Sequence, residues 1–185
     1  ESDFTIIGSS GCSEEYFDHS TVRQANTNNG EIMQETCVTV NLMCLFYQLA
    51  LLTGNTKYID AFETSFYNAY LGSVNTDKVV EPMIIKEHPD WNIEPLPFDS
   101  YSPLVPGTRG RQIGGLQVMK DDMTYYGCCA CIAAAGIGLL SRVMLVRGKD
   151  GLYLNLYSAG EIQTLAPDKT PMSLCMDTAY PAEGK

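Results

Sequence analysis

The chain has 185 residues, of which 45% are hydrophobic and 18% are charged. This balance is typical of a folded domain with its own core and unlike that of a disordered chain. The formal net charge of -10 repels phosphate backbones and anionic lipid surfaces, so we expect neither nucleic-acid nor membrane binding. Apolar runs such as CCACIAAAGIGLL are shorter than the roughly 18 residues of a membrane span, which supports that expectation.

The first part of the chain predicts a loop region followed by a helical hairpin. Residues 1–34 are rich in Gly, Ser, Asn and Thr, and such loops on rigid scaffolds often carry binding groups. Helical spacing and a terminal Gly54 predict the first helix, with an apolar face of Val38, Leu42, Leu45, Leu49 and Leu52. Residues 55–72 predict a second helix, and its apolar face consists of Ile59, Phe62, Phe66 and Tyr70. The tight turn between them indicates an antiparallel pair.

The rest of the chain changes from an irregular connection to a helix and then to strands. Residues 73–110 are rich in proline and predict a long irregular segment, and residues 111–119 suggest a strand. Residues 128–144 predict a third helix, rich in small residues. After it the apolar period becomes 2, as in Leu152, Leu154 and Leu156, which is typical of a strand. We therefore predict one domain over 1–147 and the start of a second over 148–185.

Seven cysteines, an odd number, do not form the regular framework of a small secreted disulfide protein. We assign four of them to packing, namely Cys12, Cys44, Cys131 and Cys175. The other three lie with Glu35 at two predicted helix entries. Residues i and i+2 point to the same side only in extended chain, so the entry at Glu35 and Cys37 can aim a carboxylate and a thiol at one point.

The second helix entry carries the adjacent pair Cys128 and Cys129, directly after Gly127. A helix N-terminus favours negative charge and lowers the pKa of a thiol. Three thiolates and a carboxylate are ligands that tetrahedral zinc accepts. The spacing alone leaves three interpretations open: small buried hydrophobic residues, redox chemistry or a metal site.

Several motifs in chain order resemble one family. ETC at a helix start, TGNTKYIDAFETSFYNAYLG, YGCC and GLYLNLYSAGE are similar to the C-terminal part of the catalytic region of glycoside hydrolase family 127, which includes β-L-arabinofuranosidases. GSSGCSEEYF also resembles the loop before the Glu-Thr-Cys motif of that family. The resemblance covers nearly the whole chain.

The resemblance implies a mainly α fold, a partial α/α-barrel of helical hairpins that runs into the first strands of a β-sandwich. The family enzymes are several times longer than this chain, so the resemblance implies a fragment. Its partners would then be a carbohydrate substrate and the rest of its own polypeptide, upstream barrel helices and downstream sandwich strands. We expect the isolated fragment to be inactive.

The resemblance also implies roles for particular residues. It makes a zinc site of Glu35, Cys37, Cys128 and Cys129. Cys128 would be the nucleophile that bonds covalently to the sugar, and Glu35 the general acid/base. Glu63 and Glu15 would contact sugar hydroxyls. A retaining glycosidase needs both a nucleophile and an acid/base, and zinc keeps a coordinated thiol deprotonated.

One departure from the family pattern bears on the prediction of the substrate. Arabinofuranosidases of the family follow the Cys-Cys pair with Pro-Pro-Asn, whereas this chain has Ala130, Cys131 and Ile132. We expect a retaining hydrolase of L-arabinofuranose-type plant glycosides. The alternative is a non-catalytic protein that binds carbohydrate or holds a structural zinc ion.

Overall fold

The structure is a computed structural model, and it describes residues 4–11, 17, 34–73, 89–90 and 128–183. The described part is rich in helix and contains two small antiparallel sheets. Internal contacts divide the chain into two units, Glu1–Ile137 and Gly138–Lys185. The predicted proline-rich connection and the predicted strand at 111–119 lie outside the described residues. The domain boundary after residue 147 stays a prediction.

Two packed helices, joined by a short turn, form the centre of the first unit. Helix α1 spans Thr36–Thr53 and helix α2 spans Lys57–Thr64. Gly54 ends α1 as predicted, because it adopts the left-handed conformation (φ 65°) and its N–H donates to the Ala50 carbonyl oxygen over 2.8 Å. Glycine adopts this conformation without the steric penalty of a Cβ.

The second helix changes its winding without ending. After α2 it widens into a π-helical turn, Ser65–Tyr70, and closes with the short helix α3, Leu71–Ser73. The predicted apolar face is confirmed, since all four of its members are buried: Ile59, Phe62, Phe66 and Tyr70. The rings of Phe66 and Tyr70 stack with centroids 5.3 Å apart, which adds to the burial of apolar area.

The predicted apolar face of α1 is wrong in part. Leu45 and Leu52 are 50% and 80% exposed. The buried side of the helix carries Val40, Met43 and Tyr47 instead. Apolar residues surround almost the whole of α1, so spacing alone does not decide which side meets a neighbour.

Helix α1 also corrects the expectation about apolar runs. Its 18 residues have a mean hydropathy of 1.6, and among the described residues it is the helix whose length and composition would let it cross a membrane. A core helix of a soluble protein meets the same criterion, and about a third of α1 is buried within the chain.

Helix α4 spans Cys128–Met144, the predicted bounds, and strands follow it. Strands β1 (Leu145–Arg147) and β2 (Leu152–Leu154) pair antiparallel, and so do β3 (Gly160–Leu165) and β4 (Pro171–Met176). The predicted change from helix to strand is therefore present. Asn155, which follows β2, forms hydrogen bonds with the end of α4. Its side-chain amide donates to the Val143 carbonyl oxygen (2.9 Å), and its backbone N–H donates to the Met144 carbonyl oxygen (2.8 Å). These bonds satisfy carbonyl groups at the helix end.

Candidate active site

The entry of α1 directs a carboxylate and a thiol to the same side of the chain. Glu35, the residue before the helix, is extended (φ -56°, ψ 142°), which is the geometry that lets residues i and i+2 converge. Glu35 and Cys37 are both buried, with 1% and 7% of their surface exposed. The prediction of a helix entry that aims two ligand types at one point agrees with this geometry.

The third member of the cluster comes from the first turn of α4. The Cys129 thiol is fully buried and donates to Glu35 Oε1 over 3.2 Å. Its sulfur lies 3.3 Å from that of Cys37, 92 positions earlier in the chain. Tertiary structure therefore brings together three of the four predicted ligands.

The donor set suits a zinc-like cation. The ligand atoms of Glu35, Cys37 and Cys129 all lie within 4.8 Å of one another. Two sulfurs on a tetrahedral zinc ion, each at about 2.3 Å, are about 3.8 Å apart. The sulfur–sulfur distance of 3.3 Å needs to open by only a few tenths of an ångström, so the residues fit the metal.

Without a cation the cluster favours the neutral thiol. The hydrogen bond with Cys37, burial, and the electrostatic influence of Cys37 and Glu35 raise the pKa of the Cys129 thiol. A thiol with a raised pKa is a poor nucleophile and a poor ligand until a positive charge arrives. A bound cation reverses this preference, because a coordinating thiol is deprotonated.

Comparisons with known proteins point to one family. The sequence model of the β-L-arabinofuranosidase catalytic domain of glycoside hydrolase family 127 matches residues 2–83. The resemblance to family 127 is confirmed. Residues 2–83 include Glu63 and two of the three members of the cluster, Glu35 and Cys37. A comparison with curated proteins gives no match.

Solved structures of family 127 share the fold. A β-L-arabinofuranosidase from Geobacillus stearothermophilus T6 superposes with a TM-score of 0.58 at 20% identity over 97% of this chain and 26% of its own. The β-arabinofuranosidase BT3674 gives 0.56 at 21% identity, over 97% of this chain and 24% of its own. A glycoside hydrolase gives 0.59 at 19% identity, over 98% and 29%. The chain thus spans about a quarter of the length of these three structures.

The remaining predicted site residues differ in what the structure says of them. Cys128 is the first residue of α4, but its side chain lies outside the described part, and so does the whole of Glu15. Glu63 lies on α2 and is half-buried. Burial, and then the nearby charge of Glu63, raise the pKa of Tyr67. Glu63 is not among the residues that form the metal-ligand cluster in the described part.

Two of the cysteines assigned to packing are not in a core. Cys131 and Cys175 are exposed, whereas Cys44 is half-buried; Cys12 lies outside the described residues. Cys131 is two positions after Cys129 on α4, and residues two apart on a helix point to different sides. Successive residues of strand β4 point to opposite faces, and Cys175 lies on the exposed face.

The sequence analysis missed a set of buried polar residues around Glu35. They are Thr5, Ser9, Gln34 and Thr39. The run GSSG was interpreted as loop composition and as part of a loop that resembles one in family 127, with no role for its hydroxyl groups. Three of them carry hydroxyl groups and one an amide, and their nearness to Glu35 arises in the fold, so no sequence periodicity reports it.

Proposed function

We propose that this chain supplies the catalytic thiol and carboxylate of a retaining glycoside hydrolase that acts on L-arabinofuranose-type glycosides. The observation that carries the proposal is the convergence of Glu35, Cys37 and Cys129, whose ligand atoms lie within 4.8 Å of one another although they come from α1 and α4. The match of residues 2–83 to the family 127 catalytic domain and the arabinofuranosidases among the similar structures support the choice of substrate.

Zinc is the cation we propose for this cluster. Glu35, Cys37 and Cys129 would hold it, with Cys128 as the fourth ligand, and two or more thiolates favour zinc over hard cations such as Mg²⁺. When bound, zinc keeps the cysteine sulfurs deprotonated at neutral pH. The buried position of Glu35 and Cys129 protects the cluster from competing water.

Cys128 and Glu35 would perform the two chemical steps. The Cys128 sulfur attacks the anomeric carbon while the bond from that carbon to the leaving oxygen breaks, and the Glu35 carboxyl group donates a proton to that oxygen. Water then attacks the same carbon and loses its proton to Glu35, and the carbon–sulfur bond breaks. Two displacements on one carbon restore the original configuration, which is retention.

The rest of the pocket would come from other residues. We propose that Glu63 and Glu15 accept hydrogen bonds from sugar hydroxyls, because ionised carboxylates are acceptors only. The similar structures are about four times as long as this chain, which covers 24–29% of them. We therefore propose that upstream barrel helices and downstream sandwich strands of the same polypeptide complete the enzyme, and that the 185-residue chain alone has no turnover.

The decisive experiment is mass spectrometry of the full-length protein with an L-arabinofuranoside that carries a good leaving group. The expected result is a covalent pentosyl adduct on a peptide that contains Cys128, together with one zinc ion per chain. Zinc without an adduct or turnover on any glycoside tested would favour the alternative, a structural zinc site in a carbohydrate-binding protein. An adduct on a carboxylate would show that the hydrolase uses a different nucleophile.

A further inference from the structure

Gln34, the residue before Glu35, has an unusual backbone conformation. Its φ is 55°, in the left-handed region that residues other than Gly, Asn and Asp seldom adopt. It is also buried, with 1% of its surface exposed. Strained backbone of this kind persists only where surrounding contacts enforce it, and it concentrates at functional sites.

The N-terminal segment 4–11 supplies contacts that hold Gln34. Thr5 Oγ1 donates to Gln34 Oε1 over 2.7 Å, and the backbone N–H of Gln34 donates to the Gly11 carbonyl oxygen over 3.1 Å. Thr5 is itself fixed in a tight turn, because its N–H donates to the Ser9 carbonyl oxygen over 2.9 Å. Side chain and backbone of Gln34 are thus both anchored to the same segment.

A second connection reaches Glu35 from its other side. The hydroxyls of Ser9 and Thr39 lie 2.6 Å apart, and Thr39 Oγ1 donates to the Glu35 carbonyl oxygen over 3.2 Å. Ser9 and Thr39 are buried, where a hydrogen bond is electrostatically stronger than in water and an unmet one is costly. Segment 4–11 therefore contacts the chain on both sides of Glu35, at Gln34 and at Thr39.

Segment 4–11 is in turn fixed to the π-helical turn. The N–H of Ala69 donates to the Ile7 carbonyl oxygen over 3.1 Å. A Cβ on Gly8 (φ 85°) would lie 2.5 Å from the Ser65 Cα and N atoms, so the backbone approach requires glycine. The segment therefore packs on the π-helical turn and connects it to the residues on either side of Glu35.

We propose that Thr5 and Gln34 are positioning residues that set the direction of the Glu35 carboxylate toward Cys37 and Cys129. The inference rests on the proposed function, because it concerns the same cluster. The left-handed turn at Gln34 lets the chain arrive at Glu35 extended and begin α1 only at Thr36. A helical Glu35 would point away from Cys37, since helical residues i and i+2 diverge.

The test uses Co²⁺ in place of zinc, because the visible spectrum of Co²⁺ reports ligand geometry separately from stability. Four variants of the full-length protein are loaded with Co²⁺: Thr5→Val, Thr5→Ser, Gln34→Gly and Thr53→Val. Thr53→Val is the matched control, since it removes an exposed hydroxyl that donates to the Leu49 carbonyl oxygen at the far end of α1. Thermal unfolding of each variant is recorded in parallel.

Thr5→Val should change the Co²⁺ spectrum and weaken zinc binding about 10–100-fold, the usual effect of losing a residue that orients a metal ligand. Thr5→Ser keeps the hydroxyl and should bind zinc within about threefold of the wild type on the same scale. Gln34→Gly keeps the positive φ without its strain but removes the Oε1 atom that accepts from Thr5, so it should also alter the spectrum, and its unfolding temperature is compared with that of Thr5→Val. A purely structural role would instead lower stability and leave the spectrum unchanged.

The outcomes separate this inference from the proposed function. Suppose that the wild-type protein binds Co²⁺, and that Thr5→Val and Gln34→Gly both have the Co²⁺ spectrum and the zinc affinity of the wild type. The positioning role is then wrong, and the metal site stands. If the wild-type protein binds neither Co²⁺ nor zinc, the metal site itself is wrong and the positioning role fails with it. A changed Thr53→Val spectrum would also overturn the inference, because any lost hydroxyl would then suffice.

Discussion

The sulfur atoms of Cys37 and Cys129 lie 3.3 Å apart although 92 positions separate them in the chain. Each belongs to the first turn of a different helix, and Glu35 Oε1 accepts a hydrogen bond from Cys129 over 3.2 Å. Three groups that repel one another when ionised are thus held together in a buried place. Such an arrangement is costly unless the groups are protonated or share a cation.

Cys129→Ser should weaken zinc binding of the full-length protein by more than about 100-fold, because loss of a direct ligand exceeds the 10–100-fold effect of an outer one. Added zinc should restore part of the activity. Cys131→Ser is the matched control: the same change, two positions on along α4, at an exposed residue. Competition with a chromogenic chelator measures both affinities, and equal values for the two variants would contradict the site.

Cys128→Ser should abolish turnover while zinc remains bound to the other three ligands. A serine hydroxyl stays protonated near neutral pH and cannot replace a thiolate nucleophile. Removal of a nucleophile commonly lowers kcat on the order of a millionfold. The measurement is kcat beside zinc content, with Cys129→Ser for comparison. More than about a tenth of the wild-type rate, a loss of only ~1.4 kcal/mol, would exclude Cys128 as the nucleophile.

Two glycines of α4 should respond to alanine with opposite signs. A Cβ on Gly136 would lie 2.6 Å from Tyr70 Cε2 and 3.0 Å from Val40 Cγ2, so Gly136→Ala should destabilise the fold by about 1–3 kcal/mol. Apart from its chain neighbours and its own helix backbone, no atom of the described residues lies within 4 Å of the ideal Cβ of Gly138, so Gly138→Ala should stabilise the fold by about 0.5–1 kcal/mol. Urea unfolding gives both values. The packing described for Gly136 is incorrect if both substitutions stabilise.

Tyr70→Phe should lower the free energy of unfolding by about 1–2 kcal/mol at pH 8, because it removes a buried hydroxyl that donates to the Ala133 carbonyl oxygen. Burial raises the pKa of Tyr70 to about 12. A raised pKa gives a contribution that is complete below the unfolded-state value of about 10 and is lost as the pH rises toward 12.

The difference in unfolding free energy between the wild type and Tyr70→Phe should therefore shrink by about 1.4 kcal/mol between pH 8 and pH 11. Urea unfolding at both pH values tests this. Tyr153→Phe is the control, since Tyr153 is 51% exposed and its loss should change stability by less than about 0.5 kcal/mol. A pH-independent cost of Tyr70→Phe would show that Tyr70 does not stay protonated in the folded protein.

The elements that form through contacts between neighbouring residues could be predicted from the sequence. Helical spacing and Gly54 located α1, small and apolar residues located α4 between Cys128 and Met144, and the change to period 2 located the strands. The apolar face predicted for the second helix was also correct, because Ile59 and Phe62 on α2 and Phe66 and Tyr70 on the π-helical turn form a single buried stripe beside polar residues. Motif order and chemistry likewise named Glu35, Cys37 and Cys129 as candidates for one site.

Which surfaces meet could not be predicted and became clear from the folded structure. It buried Val40 and Met43 on α1 and left Leu45 exposed, a choice that apolar residues all round the helix do not encode locally. It brought the sulfur of Cys37 next to that of Cys129, 92 positions later in the chain. It also turned Thr5 and Ser9 from loop residues into buried partners of Gln34 and Thr39. Hydrogen bonds between distant polar side chains have no period, so their partners emerge only when the chain has folded.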